Sequence, residues 1–111
     1  MDRHRHPRHP FPAVGTFPLG KPVVSAHDGA RIGKLVDVRV DTLTLVPRWL
    51  VVDPGPLRAP RFVPVHDAYR SADDTLVVPF TKAIVNHSPH FDGELTHELA
   101  VELREYYQLV P

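Results

Sequence analysis

The chain has 111 residues, enough for one domain of ordinary size, and its 42 % share of hydrophobic residues supports a modest core. Thirteen acids balance thirteen bases, so neither the basic excess of a duplex nucleic-acid binder nor a general attraction to anionic membranes is present. Cysteine is absent, which excludes disulfides and thiolate metal sites.

No apolar run approaches the ~20 residues of a membrane span, and the charged start has no apolar stretch behind it, so no secretory signal is expected. The expected location is cytoplasmic. Thirteen prolines oppose long helices and suit turns and edge strands, which points to an all-β fold.

Residues 1–18 carry Pro7, Pro10, Pro12 and Pro18 among arginines and histidines, with no apolar periodicity. They are expected to form a flexible or extended arm, with Phe11, Val14 and Phe17 available to dock on the domain of residues 19–111. His4, His6 and His9 are potential imidazole ligands, but they lack acidic or thiolate support, and a solvated, weakly cationic tail is the favoured reading.

Lys21 to Ala26 reads as a short strand. His27-Asp28-Gly29-Ala30 follows as a tight turn in which Gly29 supplies a positive φ. Arg31 to Asp41 then alternates, with Ile32, Val36, Val38 and Val40 predicted on one face, Asp37, Arg39 and Asp41 on the other, and Leu35 out of phase. Gly33 suggests a bulge or sharp bend. Thr42 to Val46 leads through Pro47 into a third strand, Arg48 to Asp53. Arg61 to His66 and Thr75 to Phe80 are the fourth and fifth, with Tyr69 to Asp74 as a turn between them. The third and fifth strands are apolar on both faces, so both faces require cover.

A C-terminal helix near 97–107 is the candidate cover. Thr96 is a suitable N-cap and Glu98 favours the positive end of the helix dipole. Leu99, Leu103, Tyr106 and Tyr107 share one face at i, i+4, i+7 and i+8. That face is expected on the outside of the sheet or on a partner. The two tyrosines point about a quarter-turn apart, so one can be buried while the other faces out.

Taken in order, Gly20-Lys-Pro-Val-Val, Asp28-Gly29, Ile32-Gly33-Lys34, Asp37-Val-Arg-Val-Asp41, Arg48-Trp-Leu-Val-Val52, Val63-Pro64-Val65 and Val78-Pro79-Phe80-Thr81-Lys82 resemble a PRC-barrel domain. Ser88-Pro89 and Tyr106-Tyr107 fit the same pattern. The resemblance implies a small, strongly bent β-barrel of about five to six strands with one C-terminal helix. Such domains occur in the photosynthetic reaction-centre H subunit, in a ribosome-maturation factor and in many stand-alone bacterial and archaeal proteins. They mostly act as adaptors on other macromolecules. With no membrane span and no second β-domain before it, this chain is expected in the stand-alone group.

No catalytic constellation emerges, so no enzymatic activity and no cofactor are expected. His87, His90 and His97, with Asp92, are candidate zinc ligands, though without the helical pairing a zinc site commonly uses. His66-Asp67 with Ser71 or Ser88 lacks the context of an activated nucleophile. Asp28, Asp37, Asp41 and Asp53 read as turn formers rather than a calcium loop. Trp49, Leu99, Leu103, Tyr106 and Tyr107 are the interface candidates, since exposed aromatics favour interfaces. The expected function is a non-enzymatic module that docks on a protein partner and self-associates as a homodimer. An RNA- or ribosome-associated module and a small metal-dependent enzyme are the alternatives, the first weakened by the neutral charge and only three lysines.

Overall fold

Turn chemistry starts the fold. In a computed structural model that describes residues 17–41, 43–90 and 95–109, Gly29 takes φ +73° and Ala30 N–H donates to the Asp28 carboxylate at 3.0 Å. This turn joins β1 (Pro22–Ser25) to β2 (Arg31–Val40) as the sequence predicts. The chain continues through β3 (Pro47–Asp53), β4 (Arg61–Pro64), β5 (Tyr69–Arg70) and β6 (Leu76–Val78), then α1 (Lys82–Asn86) and α2 (His97–Leu109). Of the N-terminal arm only Phe17 and Pro18 are described, and Phe17 is buried in the core. Phe11 and Val14 lie outside the described residues.

The six strands form one sheet in the order β4-β3-β2-β1-β6-β5. Every ladder is antiparallel except β1 against β6, where Val23, Val24 and Ser25 face Leu76, Val77 and Val78 in parallel. Val63 on β4 and Leu76 and Val78 on β6 share one apolar cluster although three strands separate them in the sheet. The sheet therefore curls until its ends meet around that core. The expected barrel is not closed by hydrogen bonds: among the described residues the ladder stops at β4 and β5. β4 ends at Pro64, and Asp67 then turns the chain at φ +66°. β5 has only two residues with which to meet it.

Three other expectations need correction. Val36 is 42 % exposed and Leu35 is buried, because β2 carries an extra residue at Ile32 against β1 and another at Val36 against β3. Each slip advances the alternation by one residue, so Ile32, Leu35 and Val38 face the core. The segment Tyr69 to Asp74 includes β5, and the fourth and fifth predicted strands are shorter than their apolar patterns. The fold also contains α1, whose N-cap is Thr81, its hydroxyl accepting from Ile84 N–H at 3.2 Å. The guanidinium of buried Arg61 ties β4 to this helix, donating to the carbonyls of Ala59 at 2.5 Å and Asn86 at 3.4 Å. Burial, together with nearby Arg58, lowers its pKa.

β3 separates two cores. Leu50 and Val52 point into the sheet's interior with Ile32, Leu35 and Val63, while Trp49 and Val51 point outward with Phe62 onto Leu99, Leu103 and Tyr107 of α2. The doubly apolar third strand is thus covered on both sides.

Candidate interaction site

Thr96 fixes where α2 begins. Its hydroxyl accepts from Leu99 N–H at 3.1 Å and its carbonyl from Ala100 N–H at 2.9 Å. From there the four-residue repeat lays Leu99, Leu103 and Tyr107 on the outer face of the sheet. Tyr107 is the hub of this seam. Its ring lies 4.7 Å from Phe80, 5.1 Å from Tyr106 in an edge-on pose and 6.4 Å from Trp49, centroid to centroid. Its hydroxyl donates to Phe62 O at 2.8 Å, and the Tyr106 hydroxyl donates to Ile84 O at 2.5 Å. Of the candidate interface residues, Trp49, Leu99, Leu103 and Tyr107 are buried within the chain and Tyr106 is half-buried.

Burial raises the pKa of the Tyr107 hydroxyl, and to a lesser degree that of Tyr106. A phenol held neutral by the fold contributes stability that is intact below its unfolded pKa of about 10 and is lost as pH rises beyond it. The protein is expected to lose stability progressively above about pH 10. Tyr107→Phe should flatten that alkaline limb at a cost of about 1 kcal/mol at neutral pH for the lost hydrogen bond. Urea titrations at several pH values check both effects.

Beside the seam runs a groove of about 1030 Å3. Trp49, Phe80 and Tyr107 are among its lining residues, as are Pro47, Val65 and Leu95, with Ala100 and Arg104 on the helix side. Asp41 pairs with Arg48 at 3.8 Å and His66 with Asp67 at 3.5 Å along its edge.

The β2–β3 loop forms one lip. Asp41 holds it: its carboxylate accepts from Leu43 N–H at 2.8 Å and Thr44 N–H at 3.1 Å, and its backbone exchanges bonds with Leu45 and Val46. These amides lower the pKa of the carboxyl. Leu45 sits at φ +61°, a conformation that costs a side-chain-bearing residue about 1 kcal/mol or more. Even so, Leu43 is 92 % exposed, Leu45 69 % and Val46 50 %. Sequence reasoning missed this lip because Thr42 to Val46 read only as the connection into the third strand. The available signal was Asp41 with Thr44, a side-chain-capped turn.

The remaining candidates do not converge. His87 caps α1 at the surface, His90 Nδ1 lies 3.1 Å from Ser88 O, and exposed His97 opens α2. Among the described residues no three His, Asp or Glu side chains are grouped to hold a metal. His4, His6, His9 and Asp92 lie outside the described residues. The Ser71 hydroxyl bonds to Asp73 and Thr75 O, and buried Ser88 to Val85 O, so neither is aligned with His66. Asp28, Asp37, Asp41 and Asp53 each accept a nearby backbone N–H, as turn formers do. No helix among the described residues is long and apolar enough to cross a membrane.

The profile of the PRC-barrel domain matches residues 16–85, more than half of the sequence. The chain belongs to the PRC-barrel domain family. No curated protein matches it. The match takes in all six strands and most of α1, and it leaves Ser88-Pro89 and Tyr106-Tyr107 beyond its end. In this PRC-barrel domain the groove therefore joins two parts of the chain, the strand ends and β2–β3 loop within the family match and α2 outside it.

Proposed function

We propose that this PRC-barrel domain is a cytoplasmic, non-enzymatic interaction module that docks on other proteins and self-associates as a homodimer. One observation carries the reading. A loop held in a fixed shape by Asp41 presents Leu43, Leu45 and Val46 to solvent at the edge of an apolar groove. Exposed apolar surface of this kind, next to a concave partner surface, is a mark of association rather than of chemistry. The groove's lining sets two carboxylates, Asp41 and Asp67, against two arginines, Arg48 and Arg104, so it has no basic excess, which favours a protein over RNA as its occupant. Light scattering over a concentration series to high micromolar tests self-association. A mass that rises to twice that of the chain is the expected result, and a single-chain mass throughout overturns it.

A further inference from the structure

The β2–β3 loop combines two features that oppose each other in a lone chain. Leu45 occupies a backbone region that glycine enters freely, yet its side chain gains little burial in return. Leu43, two residues before it, is more exposed still. Asp41 satisfies the loop's amides internally, so the tip presents aliphatic side chains on a preorganised backbone.

The groove next to it matches that tip in character. Pockets for drug-sized ligands span roughly 300–1,000 Å3, so a groove of about 1030 Å3 has room for several side chains. Its two carboxylates, Asp41 and Asp67, balance its two arginines, Arg48 and Arg104, so the lining has no net charge to satisfy, which suits an uncharged occupant. Leu43, Thr44, Leu45 and Val46 carry no charge.

We infer that the occupant is the Leu43–Val46 tip of a second copy, and that two copies exchange tips reciprocally about a two-fold axis. This rests on the self-association proposed above and names its surface. Tip and groove adjoin on the same chain, so one rotation places each tip in the other copy's groove and doubles every contact.

The test uses the full chain and light scattering over a concentration series. Leu43→Glu and Ala100→Arg, on tip and groove wall respectively, should each weaken the dimer at least about 100-fold, since each buries a charge at two symmetric sites per dimer. Leu45→Gly removes a tip side chain while relieving the positive φ. It should weaken the dimer yet melt no lower than the native chain under dilute, monomeric conditions, which separates loss of association from loss of folding. An equimolar mixture of Leu43→Glu and Ala100→Arg retains one intact tip–groove pair and should recover dimer that neither variant forms alone. A native dimer that survives these substitutions overturns the inference but leaves self-association standing through another surface. Variants that separate but fail to complement overturn the reciprocal arrangement. A native chain that stays monomeric overturns both the inference and the self-association on which it rests.

Discussion

Replacing Gly33 with alanine is expected to cost the protein at least about 3 kcal/mol, at the upper end of what overpacking usually does. A Cβ built on Gly33 falls 2.3 Å from the Asp53 carbonyl oxygen and 2.8 Å from Val52 Cγ1. The nearer atom is backbone, so no rotamer change clears the contact. Relief requires β2 and β3 to part where Lys34 pairs with Asp53 and Leu35 with Val52. That displacement reaches both cores, because β3 sends Leu50 and Val52 into one and Trp49 and Val51 into the other. Domains of this kind hold about 5–15 kcal/mol in total, so the variant should melt well below the native chain. A loss under about 1 kcal/mol by urea titration would show that the two strands separate without disturbing either core.

Leu103→Ala is expected to cost about 2–5 kcal/mol, the range for emptying a fully buried leucine site. Leu103 is completely buried in the cluster that contains Trp49, Val51, Phe62, Leu99 and Tyr107. Glu102→Ala, one residue earlier on the exposed face, should stay within about 0.5 kcal/mol. Trp49 is the only tryptophan and belongs to that same cluster. Its emission therefore reports the seating of α2, while circular dichroism reports the sheet and helices as a whole. Because β3 is shared between the two cores, both signals should change at one denaturant midpoint. An earlier transition in the emission alone would show that α2 detaches from a sheet that remains folded.

The sheet was legible wherever a local rule decides the outcome. Asp28 and Gly29 specify their turn without help from distant residues. The doubly apolar run from Trp49 to Val52 demands two covers, and Thr96 with the spacing of Leu99, Leu103 and Tyr107 supplies the second. The phase of β2 was only half legible: Leu35 out of phase and Gly33 hinted at a bulge, but where the register slips is settled by pairing with β1 and β3. α1 is five residues long, too short to show a helical period. The open end of the sheet depends on a two-residue strand, β5, that composition cannot reveal. The groove was the least legible of all, since Val40 and Asp41, Val46 to Trp49, Pro64 to Asp67, Phe80 and one face of α2 meet only after folding. The interface candidates were sought among the largest apolar side chains, and burial inside the chain claims most of those.

The parallel pairing of β1 with β6 sets a schedule for biogenesis. β1 through β4 form a run of sequential hairpins that can assemble as soon as they are synthesised, but one rim of β1 then waits for residues more than fifty positions downstream. Until Leu76 to Val78 arrive, that rim offers unsatisfied amides and carbonyls to any passing strand. Nascent chains arrested before Leu76 should consequently be sticky and dependent on chaperones through this rim as well as the bare outer face of β3, whereas those carrying α2 should not.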